Sequence, residues 1–145
     1  MENIIEKLIS QLSENLSEIE QIKEDLGQIE NQDNTFSSYP CVLINIPEII
    51  WDNTSTSNQI GHFSVSISLN INTIDNENKL DPYHIMELID KSLLGFQLNK
   101  NSTSLVRTKS EESNNTRGIK TYKNTYTFDY TEITEKIHQT FSIKK

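Results

Sequence analysis

Alanine does not occur in this chain of 145 residues; cysteine and tryptophan occur once each, proline three times and glycine four times. With Cys41 alone, there is no internal disulfide framework and no cysteine-based metal cluster. Four glycines leave no material for a glycine-rich phosphate loop, and none stands in such a motif. Arginine is limited to Arg107 and Arg117, and 21 acidic residues against 13 basic ones give a net charge of −8. A surface of that sign repels phosphates, which argues against tight DNA or RNA binding but is compatible with a wall past which DNA slides. No apolar run approaches the roughly 20 residues that a membrane helix needs. The start, "MENIIEKLIS", carries acids where a signal peptide needs cations, so the expectation is a cytoplasmic protein with no membrane partner. The missing alanine, beside abundant Asn, Ile and Lys, reads as AT-rich genome composition and says little about function.

What is present is pattern. In "HFSVSISLNIN", residues 62–72, Phe63, Val65, Ile67, Leu69 and Ile71 alternate with serines and asparagines, the signature of a strand with one buried face. The stretch "YPCVLINIPEIIW" predicts a preceding strand, with Pro40 at its start and Pro47 at its exit, since proline cannot donate a ladder hydrogen bond. "TSLVRTKSEE" predicts a third strand, "SNNTRG" a loop, and "KTYKNTYTFDYTEI" a fourth strand. In that fourth strand Tyr122, Tyr126, Phe128 and Tyr130 share one side, and threonines dominate the other. From about residue 2 to 29, Ile5, Leu8, Leu12, Leu16, Ile19, Ile22 and Leu26 recur at steps of three and four. That spacing predicts one long amphipathic helix capped by Gly27. "LDPYHIMELIDKSLLGF" predicts a second helix with Asp81 as N-cap, Pro82 in its first turn and Gly95 ending it.

The predicted class is therefore α+β: a two-layer sandwich, with a mainly antiparallel four-stranded sheet and two helices on one face. The order is α-β-β-α-β-β plus a C-terminal tail. Residues 1–132 are read as a single domain, and 133–145 as a tail or arm. In that tail Ile133, Ile137 and Phe141 fall at steps of four, which suits docking on a neighbouring subunit. The Ser/Thr/Asn-rich sheet face suits water or an identical neighbour.

Chemistry is sparse. His62, His84 and His138 lie on separate elements, with no two at metal-ligand spacing, so no metal or cofactor is expected. Cys41 reads as a core thiol. The carboxylate groups Glu111–Glu112, Asp75–Glu77 and Asp129–Glu132–Glu135 read as solvated, with no His beside them in sequence, and no catalytic residue is assigned. The apolar triplet Ile49–Ile50–Trp51 is read first as sheet packing. Its second reading is a subunit contact through Trp51 and Ile50, since tryptophan is favoured in such anchors.

The order of elements, the Tyr39–Pro40 step into the first strand and the leucine-rich helix Tyr83–Leu94 together resemble the tail terminator, or tail-completion, proteins of tailed bacteriophages. The resemblance covers most of the chain. It departs from the family in a tail that is long beyond Ile133 and in the Ser/Thr/Asn-rich face. The resemblance implies no enzyme. It implies a homo-oligomeric ring, a hexamer or twelve-fold if on the portal side, that caps the tail tube and joins it to the head connector or portal. Double-stranded DNA would pass through without sequence-specific binding. The protein would move from host cytoplasm to the virion neck. Open alternatives are another neck ring (head-closure, stopper or portal adaptor), a host-encoded binding module and a small enzyme with a carboxylate site.

Overall fold

The computed structural model describes residues 4–27, 29, 39–53, 58–74 and 80–133. Two helices, α1 (Ile4–Ser13) and α2 (Pro82–Leu93), accompany five strands: β1 (Gln21–Glu24), β2 (Cys41–Asn53), β3 (Asn58–Asn72), β4 (Val106–Asn114) and β5 (Ile119–Ile133). The sheet order is β1-β2-β3-β5-β4, antiparallel except for the parallel pair β1–β2. The α+β class is as expected from the sequence; the sheet is mixed and has one strand more. Both helices bury their apolar stripes on one face of it. Leu8 and Leu12 of α1 share a core with Ile85, Ile89 and Leu93 of α2, and with Val42, Ile44, Val65, Ile67, Leu69 and Tyr126 of the sheet.

The additional strand corrects the long first helix. α1 stops at Ser13, in the run Ser-Glu-Asn-Leu-Ser, whose short polar side chains compete for backbone hydrogen bonds. Asn15 does this directly, its Nδ2 donating to the Gln11 carbonyl. Leu16 and Ile19 remain buried, held by turns rather than by helix. Residues 21–24 then lie along β2, with Gln21 opposite Cys41 and Glu24 opposite Ile44. Gly27 is not a helix cap. It takes a positive φ of 79° in the turn after β1, and its N–H donates to the Asp25 carboxylate.

The ends of α2 are where the sequence puts them: Asp81 accepts hydrogen bonds from the Tyr83 and His84 amides, and the chain leaves the helix through Leu94 and Gly95. The N–H of Gly95 donates to Leu105, and that of Leu105 to Phe96, which stitches the helix exit to the segment that leads into β4. Pro47 lies inside β2 rather than at its exit. It sits at the register shift between Asn45 and Glu48, a bulge where a ladder donor is not needed.

The second sheet face is only partly open. Cys41, Leu43 and Ile119 form a small cluster there with Ile29, against which Tyr39 packs. The Arg117 side chain donates to the Ile29 carbonyl and ties the β4–β5 turn to that segment. Beneath this cover the polar residues pair with one another. Asn70, only 1% exposed, accepts from Thr121 Oγ1 at 2.7 Å and donates to Ser68 Oγ at 3.2 Å. Burial pushes the Cys41 thiol up to about 12, with Asn70 beside it acting in the opposite direction. The part of the face around Asn45, Ser64, Thr125 and Thr127 is half-buried.

Replacing Asn70 by Ala removes the acceptor for Thr121 and the donor to Ser68 and leaves their hydroxyls covered. The expected loss is about 2 kcal/mol, read as a lower urea midpoint at unchanged slope. A loss below about 0.5 kcal/mol would mean that water reaches the site and replaces the bonds.

Candidate functional site

Three places on the molecule gather functional groups. The first is a cleft of about 490 Å³ between α2, the edge strand β4 and its neighbour β5. α2 brings Tyr83, Met86, Glu87 and Asp90 to it on successive turns, as i, i+3, i+4 spacing allows. Along one wall runs a connected polar chain. Arg107 pairs with Asp90 at 3.1 Å, and Tyr126 Oη donates to the same carboxylate at 3.0 Å. Asn124 Nδ2 donates to Tyr126 Oη at 3.3 Å, and Ser110 Oγ donates to Asn124 Oδ1 at 2.7 Å. Burial drives the Tyr126 phenol well above its usual range, so it stays a neutral donor.

At the other end Glu112 accepts from the Tyr83 hydroxyl at 3.1 Å and pairs with Lys120 at 3.2 Å. Lys120 also lies 5.1 Å from the Tyr122 ring centre, and Tyr122 meets Tyr83 edge-to-face at 5.5 Å. The carboxylates of α2 and β4 on this side are already engaged, Glu87 with Lys91, Asp90 with Arg107 and Glu112 with Lys120.

The second place joins three strands on the open sheet face. His62 Nδ1 lies 2.7 Å from Asp129 Oδ1, and its Nε2 lies 2.8 Å from Asp52 Oδ2. The β2–β3 and β3–β5 registers create this bridge, since His62 stands opposite Ile50 on one side and Asp129 on the other. The Asp129 hydrogen bond, followed by that of Asp52, raises the imidazole pKa above its ordinary value. Sequence reading left Asp129 without a His neighbour because the two are 67 residues apart; only the strand register reveals the pair.

A raised folded-state pKa means that the bridge stabilises fully below the unfolded value, near 6.5, and weakens as pH climbs through the folded value. Melts of wild type and His62→Gln between about pH 5.5 and pH 9 should therefore show the largest gap at the acid end, narrowing above about pH 6.5. A gap independent of pH would refute a charged bridge.

The third place is the pair Ile50 and Trp51, which the structure puts on opposite faces of β2 rather than in one patch. Ile50, 54% exposed, stands opposite His62. Trp51, 37% exposed, stands opposite Gly61 on the helix side, with its ring 5.9 Å from that of Phe63. A Cβ at Gly61 would come within 2.9 Å of the Trp51 ring and 2.7 Å of Phe63, so only glycine lets the indole lie there. Ile133 ends β5 opposite Asn58. Ile137 and Phe141 lie outside the described residues. So do Asp75, Glu77, Glu135 and His138.

Among the described residues no group of three His, Cys, Asp or Glu side chains could hold a metal ion, and no helix is long and apolar enough to cross a membrane. No family model matches the chain. No curated protein matches it either. Among solved structures it is similar to a chain from the virion of a native gene transfer agent particle. The TM-score is 0.59 and the identity 6%, over 88% of this chain and 94% of that one. At that identity the two share a fold.

Proposed function

We propose that this chain is a structural virion protein of a tailed phage or phage-like particle. In this reading it forms a ring at the head-proximal end of the tail, terminates the tube and joins it to the head. The carrying observation is the nearly end-to-end fold likeness to a gene transfer agent virion chain. The arrangement of polar groups supports a structural role, since they pair with each other across the sheet and cleft instead of converging on a reactive centre. Function is then geometric. In a closed head-to-tail ring each subunit presents two different patches, and the ring order is set by the angle between them. The net charge of −8 lets such a ring pass DNA without holding it.

The test is negative-stain electron microscopy of the purified protein at high concentration, alone and mixed with tail tubes from its source. Rings with a central hole that cap tube ends are expected. Rings that ignore tubes but seat on portals would move the protein to a head-closure, stopper or adaptor position. Strict monomers that bind neither would refute the ring.

A further inference from the structure

Each edge of the sheet leaves backbone without an outer strand among the described residues. On one side β1 pairs with β2 over residues 41–44 only, so residues 48–53 have a ladder on their β3 side alone. On the other side β4 is the last strand, and all nine of its residues are exposed. We propose that the β4 edge of one copy pairs with residues 48–53 of the next, so that one sheet continues into its neighbour. The inference rests on the ring reading above and names the two patches of that ring.

Direction allows the contact. β2–β3, β3–β5 and β5–β4 are all antiparallel, so β2 and β4 run in opposite senses within one sheet. Rotation about an axis lying roughly along the strands preserves those senses and keeps every helix layer on the same side of the wall. A neighbour's β2 then meets β4 antiparallel and with matching faces, and the contact is heterologous, as a closed ring requires. Pairing β4 with a second β4 gives a two-fold dimer instead, which stops at two copies.

Side chains choose the register. Val106 stands opposite Thr127 and Lys109 opposite Thr125, because the bulge between Arg107 and Lys109 absorbs one residue; both therefore lie on the open face. Glu48 and Ile50 lie on the same face of β2, two residues apart, opposite Ser64 and His62. With Lys109 opposite Glu48, the bulge brings Val106 opposite Ile50. That register pairs opposite charges and joins two exposed apolar side chains, Val106 at 55% and Ile50 at 54%.

Glu48 is exposed and has no cation partner among the described residues, whereas Asp52 is bridged by His62. Lys109 reaches Glu111 at 3.6 Å, an exposed contact that leaves its ammonium able to take a second carboxylate. A slip of two residues would set Glu111 against Glu48, and like charge rejects it. Within one chain Val106 shares a row with Glu48, through Thr127 and Ser64. Meeting Ile50 therefore staggers the sheet by two residues per subunit, and a sheet that closes on itself needs such a stagger. Strand addition at an exposed edge is a recurring mode in which backbone gives affinity and side chains give specificity.

The test is disulfide trapping between full-length chains, alone and on tail tubes. Ile50→Cys and Val106→Cys are carried by separate chains and mixed. Residues opposed across a sheet bring their Cα atoms within the roughly 7 Å that a bridge needs. Inside one chain the two positions are three strand spacings apart, roughly 14 Å, so a doubly substituted chain does not bridge internally. The native Cys41 is buried and does not compete.

Disulfide dimers from the mixture, and ladders from the doubly substituted chain, are the expected result. Glu48→Lys or Lys109→Glu should each cut the yield several-fold, and the two together should restore it. Absence of bridges, a yield indifferent to both charge reversals, or homodimers from either single variant at the yield of the mixture overturns the edge pairing. Reduced variants are first checked for wild-type melting. Where one fails to fold, zero-length carbodiimide coupling of the wild-type chain takes its place, with an intermolecular Lys109–Glu48 linkage expected and its absence counting against the proposal. Microscopy of the same samples separates the two readings. Rings without bridges keep the ring and remove the edge pairing, while bridged open chains without rings keep the pairing and remove the ring.

Discussion

Phe63→Ala should lower stability by about 4 kcal/mol and the melting temperature by roughly 10 °C. Phe63 is buried at the centre of an aromatic group on the helix side of the sheet. Its ring stacks on Phe128 at 4.9 Å and meets Trp51 and Tyr130 edge-on at 5.9 and 6.3 Å. Removing it costs the transfer energy of the ring and then a cavity, because the remaining rings are anchored on the two strands that flank β3, Trp51 on β2 and Phe128 and Tyr130 on β5, and cannot all close in. Trp51 is already partly exposed, and without Phe63 its inner face loses the ring that it rests on. Since a protein of this kind is stable by only about 5–15 kcal/mol, such a loss is a large share of the total. Chemical denaturation of the purified variant reads it directly. A cost below about 1.5 kcal/mol would mean that the aromatic group repacks, as volume-conserving cores do.

The signals that could be read from sequence were local ones. Asp81, Pro82 and Gly95 mark the ends of α2 because a cap, a first-turn proline and a terminal glycine act within a few residues of themselves. The alternation of β3 is likewise a property of the strand alone, and its inner side is the core of the structure.

What could not be read depends on pairing between distant segments. Pro47 marked an interruption, but whether the strand ends or bulges there is decided by the Glu48–Asn53 ladder with β3. The His62 bridge needs two strand registers at once, and the polar network around Asn70 needs the Thr121 hydroxyl from another strand. The cleft, too, is a product of topology. β4 is added outside β5 and stays exposed along its whole length, which leaves its wall facing α2 across open space. Arg107, Lys109, Glu111 and Glu112 on that strand are typical of an edge protected by charge against unwanted strand pairing.

Leu8→Ala and Leu26→Ala should have very different costs, although the sequence pattern treats the two positions as equivalent. They are eighteen residues apart, about five turns at 3.6 residues each, so a single helix through both would place them on one line of its apolar stripe. In the structure Leu8 is fully buried between α2 and the sheet, while Leu26 is 72% exposed in the turn after β1. Truncating Leu8 should cost about 3 kcal/mol, the lost burial plus an unfilled cavity beneath α1. Truncating Leu26 should change stability by no more than about 0.5 kcal/mol. The physical reason for the break is the free edge of β2. Cys41–Ile44 is a buried run whose backbone groups need a ladder on both sides, and β1 supplies the outer one. A helix extended to residue 29 would leave that edge uncovered. Equal losses at both positions in parallel denaturation curves would restore the continuous helix and remove β1 from the sheet.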